Sequence, residues 1–437
     1  MNKATPGAVA RAAALALAWS LPPAQATQQP AAPQPSAKAS ARAPAGAPLK
    51  ATVSHWWTSG GESAAIRQFA DAYTRAGGQW IDQAVAGADQ SRASTINRIV
   101  GGNAPVAAQF NTSKQFRDIV DQGLLNNLDD VAARGNWDNI LPRTIIDAIK
   151  INGHYYAAPV DIHMPAWFFY SKAAYAKAGI QAEPKSWEEF VAQLERLKKA
   201  GLIPLAFGGQ VWQEKIVFDA IFALVGGPEL YLKIYRDRDL RAVASPAFRD
   251  VLVKFKALRA YTDPGSPGRN WNDATALVVS GRAGVQIMGD WAKGEFTSAG
   301  QVAGKHFGCF PGFGPRPPYM VAGDAFVFPK TAKPQIVQAQ KLLATVMTAP
   351  GPQAEFSARK GSIPIRPDVD MSKLDVCARM GIEIMQDKAR QLPNAEMLLD
   401  PDLNGALQDV LTNYWNRNET PERAQQAFAQ AIRDNTW

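Results

Sequence analysis

Two tryptophans stand side by side where a short β-prone run gives way to a turn. The run reads Ala51-Thr52-Val53-Ser54-His55-Trp56-Trp57, then Thr58-Ser59-Gly60-Gly61-Glu62, and a helix is predicted to begin near Ser63. Successive strand side chains point to opposite faces, so both indoles cannot enter one core. They suit a ligand with a flat apolar face and a polar rim. A sugar ring is one: its C–H face packs on an indole and its hydroxyls need hydrogen bonds. The structural alternative is one tryptophan in the core and one on the surface.

Further segments repeat the theme along the chain: Gln109-Phe110-Asn111, Asp161-Ile162-His163, Gln210-Val211-Trp212-Gln213, Asn270-Trp271-Asn272, Met288-Gly289-Asp290-Trp291, Gly323-Asp324 and Arg359-Lys360-Gly361-Ser362. Each places an aromatic, a charged group or an amide just after an apolar strand or at a Gly-marked turn. Catalytic signatures are absent: there is no P-loop, no G-x-G-x-x-G at a strand–helix junction, no G-x-S-x-G and no C-x-x-C. The four histidines, His55, His154, His163 and His306, lack metal-ligand spacing. No cofactor is expected. Carboxylates are plentiful, so a glycosidase pair stays open on composition.

The elements that must position these groups alternate. Ile66, Phe69, Ala70 and Tyr73 share one face of a helix over 63–75, and further helices are predicted over 93–101, 116–122, 218–225, 248–261, 334–347 and 404–415. Ser186 with Glu189 reads as a capping box. Asn152-Gly153 reads as a hairpin turn. Apolar strands are predicted over 104–110, 204–207, 284–288 and 325–328. Such alternation implies α/β lobes with ligand sites at strand ends. About 390 residues exceed one typical domain, so two lobes are expected.

Residues 1–26 resemble a secretory signal: Lys3 and Arg11, an apolar stretch from Ala12 to Leu21, then Ala24-Gln25-Ala26. Residues 27–48 are Pro/Ala-rich and read as a disordered linker. No later run has membrane length. The formal charge is +8, but the first fifty residues carry five basic groups and no acid; removing those five leaves +3, scattered along the chain. That excludes nucleic acid as an expected partner. Cys309 and Cys377 either pair or are two separately buried thiols.

Four motifs, taken in order, make the chain resemble the extracellular solute-binding proteins of ABC-type sugar importers, nearest the glucose/mannose-binding subgroup. They are Ser54-His55-Trp56-Trp57, Ala157-Ala158-Pro159-Val160-Asp161-Ile162-His163, Met288-Gly289-Asp290-Trp291 and Lys360-Gly361-Ser362-Ile363. The likeness runs from about Leu49 to the C-terminus. It implies a two-lobed, maltose-binding-protein-like α/β fold, with residues 49–157 plus about 322–362 in lobe one and 158–321 plus about 363–437 in lobe two. It implies a monomeric periplasmic protein that holds a monosaccharide, with glucose first, and hands it to a membrane permease by hinge closure. A secreted carbohydrate-active hydrolase and a periplasmic sensor feeding a chemoreceptor or kinase are the rival readings.

By the same resemblance, Trp56 and Trp57 meet the ring and Glu62 accepts from hydroxyls. Gln109 and Asn111 follow the lobe-one strand, and Trp271 closes from lobe two. Asp324 and Lys360 together match vicinal hydroxyls, which both donate and accept. His163 and Trp212 complete the set, each with packing as its alternative. Glu62 could instead serve only the dipole of its helix. Asp290 reads as a turn residue and Trp291 as core. The subgroup often carries a late histidine returning to the cleft; here Leu392-Pro393-Asn394-Ala395 offers only the amide of Asn394.

Overall fold

Two separate β-sheets organise residues 47–435, the part described by a computed structural model. The expected export segment, residues 1–26, and nearly all of the expected linker lie outside the described residues. Nine strands build the two sheets: β1 (Leu49–His55), β2 (Gly78–Ala84), β3 (Ala107–Asn111), β4 (Ala157–Pro159), β5 (Trp167–Ser171), β6 (Ile203–Leu205), β7 (Ala283–Met288), β8 (Phe307–Phe310) and β9 (Asp324–Val327). The first sheet runs β2-β1-β3-β9-β4, with β1 parallel to β2 and β3 and with β9 antiparallel to both its neighbours. The second runs β8-β5-β7-β6.

Seven helices matter to the cleft: α1 (Gly60–Arg75), α2 (Ala88–Val100), α3 (Val211–Ile221), α4 (Trp271–Val279), α5 (Ala292–Ser298), α6 (Pro350–Lys360) and α7 (Pro401–Asn416). The apolar face of α1 packs on α6, where Phe69 stacks on Phe356 with centroids 4.4 Å apart. The chain thus forms a two-lobed α/β fold, and it crosses between sheets near 160–166, 311–323 and 361–366. Paired backbones hold these crossings together: Ile162 bridges Ile363, and His163 bridges Ala322.

Helix α1 begins at Gly60, three residues earlier than its apolar pattern suggested, because Ser59 caps it by accepting from the Glu62 amide. Gly61 must be glycine for a different reason. A Cβ there would stand 2.4 Å from the backbone of Gly294 in α5. The two helices come from opposite sides of the cleft, and Glu295 Oε1 accepts from the Gly61 amide at 2.8 Å.

The capping box at Ser186 is half as expected. Ser186 Oγ accepts from the Glu189 amide, but the Glu189 carboxylate takes the Lys185 amide instead of that of Ser186. Cys309 on β8 and Cys377 on the helix Val376–Gln386 form a disulfide, with Cα atoms 6.1 Å apart. The reading as two separate thiols is therefore corrected. Among the described residues no helix is long and apolar enough to cross a membrane.

Candidate sugar site in the interlobe cleft

Between the sheets lies a cavity of about 660 Å³. Strand β1 delivers Trp56 and Trp57 to its wall, and both line it, but unequally. Trp57 is only 1% exposed and wedged between Phe326 and Phe356, at 5.8 and 5.3 Å. Trp56 is half-buried. Trp57 is thus the core member of the pair, as the structural alternative had one of them, while it still lines the cavity.

Glu62 follows in the first turn of α1, buried, with Oε2 accepting from Ser59 Oγ at 3.1 Å. Its Oε1 faces the Lys360 ammonium at 3.4 Å. Lys360 is the last residue of α6 and is 2% exposed. Gly361 then turns the chain at φ 92°, a conformation glycine adopts freely. The ammonium also lies 5.0 Å from the Trp57 ring centre and 5.5 Å from that of Trp291. Burial alone would lower the Lys360 pKa; Glu62, Asp324, Asp161 and Asp290 outweigh it and hold the group above its ordinary value.

Asp324 opens β9 directly opposite Asn111 of β3. Gln109 does not line the cavity. Its Nε2 donates to Asp324 Oδ1 and its Oε1 accepts from the Trp56 amide, both at 3.1 Å, so it fixes two groups that do. His163 Nδ1 stands 3.6 Å from Asp324 Oδ2 and from Asp161 Oδ1, while the latter accepts the Asp324 amide at 2.7 Å. Burial and the nearby Asp161 push Asp324 up to about 7. Burial would lower His163, but Asp161, Asp324 and Asp290 raise it to about 9. Asp161, Asp324 and His163 offer three donor atoms within 4.8 Å of one another. The Lys360 ammonium interacts with both carboxylates, so the cluster reads as an ion-paired group.

The opposite wall is aromatic. Trp271 begins α4 and Trp212 sits in the first turn of α3; both line the cavity. Asn394 lines it too, held by its backbone amide to Val321. The cavity therefore brings together Trp56, Trp57, Glu62, Asn111 and His163 with Trp212, Trp271, Asp324, Lys360 and Asn394. It also includes groups the sequence reading passed over. Trp291, read as core, is half-buried and stands in the wall, edge-on to His163 at 5.0 Å. Asp290 is more than a turn residue: it accepts the Met164 amide at 3.2 Å, and burial lifts it to about 7. Lys215 and Asp219 line it as well; their i,i+4 spacing on a helix was the available signal.

The arrangement offers charged acceptors and donors for hydroxyls beneath indole faces. The sequence profile of the bacterial extracellular solute-binding proteins matches residues 56–354. A probable sugar-binding periplasmic protein of Brucella melitensis biotype 1 is 37% identical over 387 residues, covering 87% of this chain and 91% of that protein. Among solved structures, the solute receptor AcbH, described as having an exclusive preference for b-D-galactopyranose, superposes with TM-score 0.74 at 19% identity, over 88% of this chain and 98% of its own. The maltose-bound T. maritima MalE3 superposes with TM-score 0.73 at 18% identity, over 89% and 100%. The fold is thus that of the two-lobed receptors, and the chain belongs to the bacterial extracellular solute-binding proteins, which bind their solutes without transforming them.

Proposed function

We propose that this protein is the periplasmic receptor of a sugar importer and that the unit it recognises is an aldohexose, glucose or a close relative. The observation that carries the reading is the cluster of Glu62, Asp324 and Lys360 in the cavity that Trp56 also lines. A carboxylate accepts from two neighbouring hydroxyls while an ammonium donates to them, and such charge-assisted bonds are about twice as strong as neutral ones. An indole supplies the apolar contact. The Brucella relative's name supports a sugar as the solute and the periplasm as the place. Because the wall groups come from both lobes, a bound ring favours the closed state, which is the form a permease would recognise.

Calorimetry against glucose, mannose, galactose and xylose tests the ligand. Small-angle scattering tests the motion, with a smaller radius of gyration expected on saturation. A panel in which amino acids bind and sugars do not refutes the reading.

A further inference from the structure

The same cavity is lined by residues the sugar cluster does not use: Lys215 and Asp219 of α3 and Asn404, Gly405 and Gln408 of α7, two helices that pack on each other. Lys215 Nζ lies 2.6 Å from Asp219 Oδ2, and Tyr235 donates its hydroxyl to Asp219 Oδ1 at 2.6 Å. Both charged residues are 4% exposed. A buried ion pair is a poor stabiliser, because an apolar pair of similar volume often does as well or better. Here the pair borders a cavity. Beside it, Asn404 Oδ1 is a buried acceptor with no partner, and a buried polar atom left unpaired costs about 1–3 kcal/mol. On the same helix, Gly405 has open space where a Cβ would stand. Alanine there would favour the helix by about 1 kcal/mol.

Volume points the same way. A pyranose displaces about the volume of six waters, roughly 180 Å³ at about 30 Å³ each. The cavity measures about 660 Å³, so one ring fills only about a quarter of it.

We infer that Lys215, Asp219 and Asn404 form a second subsite for a sugar unit attached to the ring held by Asp324 and Lys360, so that the ligand is a disaccharide. This rests on the sugar-binding reading and replaces the lone monosaccharide expected from sequence. In this subsite the Lys215–Asp219 pair presents a donor and an acceptor together, and Asn404 Oδ1 accepts one hydroxyl.

The test is calorimetry of the parent protein with glucose, mannose and galactose and with maltose, cellobiose, gentiobiose and lactose. At least one disaccharide is expected to bind tenfold or more tightly than the best monosaccharide. Gly405→Leu, which adds bulk to the α7 wall, should lower that ratio at least tenfold. The double substitution Lys215→Met with Asp219→Asn should lower it comparably; if that variant does not fold, Gly405→Leu alone decides. A free hexose binding as tightly as every disaccharide overturns the second subsite and leaves the sugar reading standing. So does a Gly405→Leu protein with an unchanged ratio. Failure of all seven sugars to bind overturns both.

Discussion

Replacing Asp324 with asparagine tests the polar heart of the site. Asp324 Oδ1 accepts from Gln109 Nε2, and Gln109 cannot rotate its amide because its Oε1 already accepts from the Trp56 amide. The new amide must therefore turn its oxygen toward Gln109 and its NH2 toward His163, itself a donor. A sugar hydroxyl that donated to the carboxylate then meets another donor. A hydrogen bond to a charged group is worth about 1.5–3 kcal/mol, so affinity should fall about ten- to a hundredfold at pH 8. Asp324 titrates near 7 in the empty site, and hydroxyls donating to its carboxylate lower that value in the complex. The parent should thus lose affinity as pH falls, by roughly thirtyfold at pH 5.5 if the bound value drops below that pH. The gap between parent and variant should narrow accordingly. Calorimetry at pH 8 and 5.5 reads both numbers. Equal affinity of the two proteins for every sugar at pH 8 would refute the role of Asp324. A ratio that does not change with pH would refute its titration near 7.

The two tryptophans should separate. Trp57→Ala should cost about 3–5 kcal/mol of stability, as for other fully buried aromatics, seen in chemical denaturation without sugar. Trp56→Ala should mainly cost affinity, about 1–3 kcal/mol; the reverse pattern would contradict their burial. The ligand-free protein should lose stability as pH rises. Asp324 and Asp290 titrate near 7 instead of 3.8 and His163 near 9 instead of 6.5, so the folded state binds more protons and its advantage drains through 7 and again through 9. Melting scans from pH 6 to 9.5 should show that fall, and His163→Gln should flatten its upper part. Reduction of Cys309–Cys377, which spans 68 residues, should cost about 4 kcal/mol by loop entropy. Unchanged melting with and without dithiothreitol would rule that out.

The helices that announced themselves by a 3.6-residue apolar pattern appear where it stood, and Pro334–Met347 has the expected bounds. Cap residues moved two starts, Ser59 that of α1 and Ser245 that of the helix Pro246–Ala257. Strand β2 left no signal, since an edge strand with exposed Gln79 and Asp82 and half-buried Trp80, Ile81 and Gln83 does not alternate. Site residues were legible where a motif fixed them to a strand end. The depth of Lys360 was not, because an ammonium is buried only when carboxylates from distant segments surround it. Gln109 was recognised as polar and close, yet its work as a bracket between Trp56 and Asp324 needs the register of β3 against β9. The α3–α7 part of the lining went unread because those two helices meet only in three dimensions.

Between Cys309 and Cys377 the chain leaves the second sheet, lays down β9 within the first, runs through α6 and returns before the bond closes. The covalent ring therefore encloses a passage through both halves of the molecule. Its second thiol is synthesised only after every strand of both sheets. A chain cut short before Cys377 therefore lacks the partner of Cys309, whereas the complete chain ties β9 and α6 into one covalent ring with the second sheet.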